Sequence, residues 1–130
     1  IHGDFHGGNI LFDGNKVTGF IDLDHLPIGT RIYDISYFLA DEVKNRIDDS
    51  KKLESWLASF IYLIYGYTHE ICLSTQEQDK LWHGMLFTQL MFIDWFVKSK
   101  NEEHIEKNTR VFNWIYTHQT DIHTILNQSN

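Results

Sequence analysis

The sequence predicts an α+β fold that is mostly α, with a loop and a β-hairpin packed on about four helices. Six of the eight glycines and the single proline fall within residues 1–29, a composition typical of loops and strands. From residue 30 onward, apolar residues recur at the three- and four-residue spacing of amphipathic helices. Hydrophobic residues make up 42% of the 130 residues, enough for one packed core. We expect residues 1–130 to form a single domain, with a helical part at 30–130.

The hairpin is predicted from two short β-prone runs, at residues 9–12 and 17–21. Between them lies the sequence Asp-Gly-Asn-Lys at residues 13–16. Asp-Gly and Gly-Asn favour the positive φ angles that a tight hairpin turn requires.

Four helices are predicted in the second part of the chain. The third is expected to open with a capping box, in which Ser74 and Glu77 exchange hydrogen bonds with each other's backbone. In chain order the helices are expected at residues 30–46, 51–66, 75–98 and 102–126. The apolar residues expected to face inward in the last helix are Ile105, Phe112, Ile115, Ile122 and Ile125.

Charge and composition exclude several classes of protein. The net charge of −7 argues against a binder of duplex nucleic acid, which needs a basic surface. A single cysteine, Cys72, excludes a disulfide framework and a thiolate zinc site. No apolar run approaches the roughly 18 residues of a membrane span. We therefore expect a cytoplasmic protein with no nucleic-acid or membrane partner.

The chemically richest stretch is residues 2–9, which has the spacing H-x-D-x-x-x-x-N of a kinase catalytic loop. In such a loop the carboxylate of Asp4 would take the proton of an attacking hydroxyl. The side-chain oxygen of Asn9 would turn back to hold a magnesium ion on the phosphates. Asp22 follows the second strand, where another ligand could approach the same ion, and magnesium prefers a few hard oxygen ligands.

Residues 2–9, followed by G-F-I-D-L-D at residues 19–24, resemble the aminoglycoside phosphotransferase and choline kinase superfamily. Residues 29–35 also resemble the stretch that follows this family's metal-binding strand. The resemblance implies a protein-kinase-like fold, with ATP as co-substrate and Mg²⁺ as cofactor. It implies phosphoryl transfer to a hydroxyl of a small, possibly cationic molecule: an aminoglycoside, choline or ethanolamine, homoserine, or a similar amino or sugar alcohol.

The resemblance also implies roles for individual residues. Asp4 is the catalytic base, and Asn9 and Asp22 are the magnesium ligands that hold the nucleotide phosphates. Asp24 is a second acid at the metal site, with a less defined role. Two further residues are implied as structural support of the loop: His2 and Asp34.

Residues 1–130 contain neither the phosphate-binding loop nor the strand lysine of the family's N-terminal lobe. The chain is therefore interpreted as the C-terminal part of a kinase C-lobe, whose partner would be the N-terminal lobe of the same protein. It is expected to be inactive alone, because phosphoryl transfer depends on positioning the nucleotide. Its surface toward that lobe is expected to be apolar and exposed, and so to promote self-association.

Two other classes of function stay open. A metal-dependent hydrolase could use a cluster of histidine and aspartate residues to activate water. A non-catalytic kinase remnant or helical interaction module would need no site at all. The residues that the hydrolase would use are His2, Asp4, His6, Asp22, Asp24 and His25.

Three further features have a structural and a functional interpretation, and the structural one is preferred for each. His6 and His25 are expected to be loop residues beside the site. Acids at the start of the last helix are expected to interact with the helix N-terminus rather than with an amino-substituted substrate. Aromatic residues at helical spacing are expected to be core rather than a pocket for a quaternary amine. The acids are Glu102, Glu103 and Glu106, and the aromatic residues are Trp56, Phe60, Tyr62, Trp82, Phe87, Phe92, Trp95, Phe96, Phe112 and Trp114.

Overall fold

A computed structural model describes residues 1–23 and 27–128 of the chain. The described residues confirm an α+β fold that is mostly helical, with one two-stranded antiparallel sheet. Asp24 and His25 lie outside the described residues, so the expectations for them stay predictions. The elements are β1 (Ile10–Asp13), β2 (Lys16–Phe20), α1 (Ile32–Lys44), α2 (Ser50–Glu70), α3 (Thr75–Lys98), α4 (Glu102–Thr117) and α5 (Gln119–Gln128).

The predicted hairpin is confirmed. Ile10 pairs with Phe20 at its open end and Asp13 pairs with Lys16 at the turn. Gly14 has a φ of +58°, which explains the glycine in this turn. Asn9, expected to open the first strand, instead ends a short 3₁₀ turn over Gly7–Asn9. That turn aims the Asn9 side chain toward the preceding loop.

The helix ends follow from local capping. The capping box of α3 is confirmed, since Ser74 accepts from the backbone N–H of Glu77 and the Glu77 carboxylate accepts from the N–H of Ser74. Helix α2 extends four residues past its predicted end at residue 66, to Glu70. It ends there because Ile71 adopts an extended backbone.

The single helix predicted over residues 102–126 is wrong, because the structure has two helices there. Helix α4 ends at Thr117, and His118 leaves the helical conformation with φ −97° and ψ 21°. The imidazole Nδ1 of His118 lies 2.8 Å from the carbonyl oxygen of Trp114, and the Thr117 hydroxyl donates to the same oxygen at 3.0 Å. The backbone N–H of His118 also donates to this carbonyl at 3.0 Å, so three donors converge on it at the last turn of α4. Helix α5 begins one residue later.

The core lies where α3 packs against α1 and α4. Leu39, Leu81 and Ile115 are fully buried there. Helices α1 and α3 approach closely at Gly84, where a Cβ atom would collide with the Ser36 side chain. The indole N–H of Trp82 donates to the carbonyl of Ile115 at 2.9 Å, which joins α3 to α4. Among the described residues, no helix has the combination of length and hydropathy needed to cross a bilayer.

The aromatic residues expected to be core are only partly so. Phe60 and Trp82 are buried, whereas Tyr62, Phe87 and Trp95 are exposed. The other five are half-buried, Phe112 among them. Exposed apolar side chains also occupy the hairpin and the segment after it. They are Leu11, Phe12, Val17, Phe20, Ile21, Leu23 and Ile28.

Candidate active site

Helix α1 fixes the backbone of the N-terminal loop through one carboxylate. Asp34, in the first turn of α1, accepts from the backbone N–H of His2 at 2.7 Å and from that of Gly3 at 2.9 Å. Gly3 has a φ of +87°, a region that glycine enters at little cost. The loop is therefore attached to the helix immediately before Asp4.

The imidazole of His2 joins the loop to the end of β2. Its Nδ1 lies 3.4 Å from the backbone N–H of Asp4, which donates to it. The proton is thereby assigned to Nε2, which donates to the carbonyl of Ile21 at 3.0 Å. The structure places His2 behind the loop, between the two segments that carry Asp4 and Asp22.

The Asp4 side chain is half-exposed and is held on both oxygens. The hydroxyl of Tyr37 donates to Oδ1 at 2.6 Å. The amide Nδ2 of Asn9 lies 3.3 Å from Oδ2 and donates to the Asp4 carbonyl at 2.9 Å. A carboxylate with this exposure can reach a substrate hydroxyl while its orientation is fixed by the protein.

Asn9 is buried, with 7% of its surface exposed, and the side chain is turned by its bonds to Asp4. Because Nδ2 is used in those bonds, the amide oxygen Oδ1 is the atom left for a cation, and no described residue donates to it. The backbone carbonyl of Asn9 accepts from Ile21 N–H at 3.1 Å, one residue before Asp22. The hairpin therefore brings Asn9 and Asp22 to the same end of the sheet.

Asp22 adopts a left-handed backbone, with φ +62°, and is exposed. Its carboxylate forms no hydrogen bond or ion pair with any described residue. An amide oxygen and an unpaired carboxylate fit the preference of Mg²⁺ for hard oxygen ligands, with water and phosphate completing its coordination. The donor set of Asn9 and Asp22 is thus compatible with the cofactor that the sequence predicts.

The loop residue His6 lies beside the Asp4 carboxylate. Its Nδ1 accepts from the backbone N–H of Gly8 at 3.1 Å, which caps the 3₁₀ turn. The ring proton is therefore assigned to Nε2, which lies 3.6 Å from Asp4 Oδ2. The sequence indicates this proximity only through the position of His6, two residues after Asp4. The hydrogen bond from the Gly8 N–H to Nδ1 turns the His6 ring toward the Asp4 carboxylate.

Tyr37 is the residue that the sequence did not indicate. It is 7% exposed and lies three residues after Asp34 on α1. Burial raises the pKa of Tyr37 well above its usual value, and the hydrogen bond to Asp4 raises it further. Burial likewise raises the pKa of Tyr33, on the preceding turn. Tyr37 is thus a protonated donor at neutral pH.

The described residues contain no group of three or more His, Cys, Asp or Glu side chains that could hold a metal ion. The hydrolase interpretation also uses Asp24 and His25, outside the described part of the chain, and gains no support from the rest. Glu102 and Glu103 occupy the first turn of α4, as expected for acids at a helix N-terminus.

Comparison with known families agrees with this geometry. Residues 1–60 match the model of the phosphotransferase enzyme family. Residues 1–60 are therefore similar to phosphotransferases. The match spans the loop, the hairpin, α1 and the first part of α2, and it confirms the resemblance seen in the motifs. No curated protein and no solved structure matches the chain.

Proposed function

We propose that this chain is the C-terminal part of a protein-kinase-like C-lobe, and that its parent enzyme transfers a phosphoryl group from ATP to a hydroxyl of a small molecule. The observation that carries the proposal is the half-exposed carboxylate of Asp4, held beside the amide of Asn9 in a segment that matches the phosphotransferase family. Residues 1–130 form one domain in this proposal.

Asp4 is the proposed catalytic base. It orients the acceptor hydroxyl and takes its proton as the acceptor oxygen bonds to the γ-phosphorus, while the bond from that phosphorus to the leaving ADP oxygen breaks. Phosphoryl transfer makes large demands on positioning, which the contacts of Asp4 with Tyr37 and Asn9 supply.

Asn9 and Asp22 are the proposed ligands of Mg²⁺, with Asp24 as a third acid nearby in sequence. The ion would neutralise charge on the β- and γ-phosphates. Asp22 is suited to this role because its carboxylate has no described partner, so no ion pair must break before it binds a cation.

The proposed acceptors are aminoglycosides, choline or ethanolamine, homoserine and similar amino or sugar alcohols. A cationic group on the acceptor agrees with the net charge of −7. A cytoplasmic location is part of the proposal, because the reaction consumes ATP. The N-terminal lobe of the same protein is the proposed partner that binds the nucleotide.

Metal binding gives the first test. Mn²⁺ replaces Mg²⁺ at oxygen ligands and enhances the relaxation of water protons, so its affinity can be measured on the 130-residue chain without nucleotide, which would itself bind the ion. Asp22→Asn should weaken Mn²⁺ binding at least tenfold, and asparagine tolerates the left-handed backbone at this position. Asp79→Asn, which removes the same charge from the exposed face of α3, is the matched control. Equal affinities in all three proteins would refute the metal assignment.

Transfer of labelled phosphate from ATP to a panel of amino and sugar alcohols gives the second test. The longest natural polypeptide that contains these residues should phosphorylate one of them, and Asp4→Asn should abolish the activity. The 130 residues alone should show no turnover above the Asp4→Asn control. Full activity in the Asp4→Asn variant would refute the role of Asp4.

A further inference from the structure

Tyr37 makes the shortest contact to the proposed base. Its hydroxyl lies 2.6 Å from Asp4 Oδ1, which is the distance of a charge-assisted O–H···O⁻ hydrogen bond. The contacts to the other oxygen are longer, at 3.3 Å from Asn9 Nδ2 and 3.6 Å from His6 Nε2. The two oxygens of the carboxylate are therefore not equivalent.

The phenol is fixed in place by its surroundings. The edge of the Tyr37 ring meets the ring of Phe92 on α3, with centroids 5.5 Å apart. The ring of Tyr33 lies 6.2 Å away on the preceding turn of α1, and His6 stacks on the ring at 6.4 Å. With 7% of its surface exposed, Tyr37 has little room to adopt another rotamer.

The same helix also holds the backbone on which Asp4 is carried. Asp34 binds the backbone N–H groups of His2 and Gly3, and Tyr37 lies three residues further along α1. Residues three apart on a helix lie on the same face. Helix α1 thus determines both where the loop lies and how the Asp4 carboxylate is rotated.

We propose that Tyr37 is a positioning residue for the phosphoryl transfer proposed above: its hydroxyl holds Asp4 by Oδ1 and leaves Oδ2 to receive the proton of the acceptor alcohol. The inference rests on the proposed function and adds to it the residue that orients the base. Loss of the phenol hydroxyl would leave Asp4 in place, with its carboxylate oriented only by the longer contact from Asn9 Nδ2 at 3.3 Å.

Tyr37→Phe is the variant that tests the proposal, since it removes one oxygen and keeps the ring packing. In the longest natural polypeptide that contains these residues, with ATP and water or the best alcohol of the panel as acceptor, kcat should fall at least tenfold. The KM for ATP should stay unchanged, because Tyr37 orients the base and does not bind the nucleotide. Tyr33→Phe is the matched control, as the Tyr33 hydroxyl makes no hydrogen bond to Asp4, and it should retain wild-type kcat.

Two further measurements separate positioning from a general structural role. In the Asp4→Asn background, Tyr37→Phe should leave any residual rate of phosphoryl transfer unchanged, because Tyr37 acts only through Asp4. In proton NMR of the 130-residue chain, a slowly exchanging phenol hydroxyl resonance should be present and should disappear in Tyr37→Phe. Circular dichroism and the thermal midpoint check that the variant is folded.

The outcomes distinguish this inference from the proposed function. If Asp4→Asn abolishes turnover but Tyr37→Phe matches or exceeds the wild-type kcat, the inference fails and the proposed function stands. A rise in KM for ATP at constant kcat, or a hydroxyl resonance that is absent from the wild type, also overturns the positioning role. Failure of the wild type to turn over ATP, or full activity of Asp4→Asn, overturns the proposed function and this inference with it.

Discussion

Replacing Asp34 by alanine should release the N-terminal loop from α1. The wild-type carboxylate accepts from the backbone N–H groups of His2 and Gly3 at 2.7 and 2.9 Å. Alanine leaves both groups without an acceptor in a half-buried setting. The loop that carries Asp4 would then be held to α1 mainly through the side chain of Tyr37.

The size of the effect follows from the two bonds. A hydrogen bond to a charged group contributes about 1.5–3 kcal/mol, and the gain of water by the released N–H groups offsets part of this. A net loss of about 3 kcal/mol corresponds to roughly a hundredfold increase in the local opening equilibrium. Because residues 2 and 3 can open without unfolding the helices, the global free energy of unfolding should change less.

Amide hydrogen exchange measured by NMR is the suitable assay. Protection of the His2 and Gly3 amides should fall about a hundredfold in Asp34→Ala and by less in Asp34→Asn, which keeps one acceptor oxygen. Asp121→Ala is the control, because it removes a first-turn acid from α5 and no described hydrogen bond. If protection in Asp34→Ala falls by less than a factor of three, Asp34 does not hold the loop.

Three further predictions concern stability and association. The Arg31 guanidinium, with Ser74, lowers the pKa of Glu77 from 4.5 to about 2. The ionised Glu77 carboxylate therefore contributes fully to stability above pH 4.5, and this contribution is lost as the pH falls toward 2. Urea unfolding across this range should show a smaller pH dependence in Glu77→Gln than in the wild type. Leu39→Ala in the core should lower the free energy of unfolding by about 2–5 kcal/mol, whereas Leu90→Ala on the exposed face of α3 should change it by less than about 0.5 kcal/mol. Equal losses of stability in urea unfolding would contradict the assigned core. Light scattering should show that the 130-residue chain self-associates at high concentration and that Phe12→Asp associates less. A wild-type chain that stays monomeric would show that the apolar hairpin does not drive association.

The parts of the fold that sequence could predict are those with local causes. The hairpin depends on a turn whose residues are contiguous, and α3 starts at a capping box formed by Ser74 and Glu77. The end of α4 has no glycine or proline to mark it. At this point the side chains of Thr117 and His118 both contact the carbonyl of Trp114, and apolar periodicity does not register such polar contacts.

The residues of the candidate site likewise include some with a local sequence signal and some without one. Asp4 and Asn9 lie in one short motif, so their spacing alone placed them together. In the sequence, Tyr37 is indistinguishable from the other apolar positions of an amphipathic helix. Its hydroxyl bonds to Asp4 only because α1 packs against the loop. His6 turns inward because its own Nδ1 caps a 3₁₀ turn that the sequence did not predict.

The shared use of α1 by Asp34 and Tyr37 limits where the chain can change its length. One residue inserted between them would rotate Tyr37 by about 100° around the helix axis and carry its hydroxyl away from Asp4, although the composition and hydropathy of the helix would barely change. A residue inserted at the hairpin turn meets no such limit, because the space beside Gly14 is open. Functional relatives of this chain should therefore vary in length at the hairpin tip and keep the three-residue interval in α1 constant.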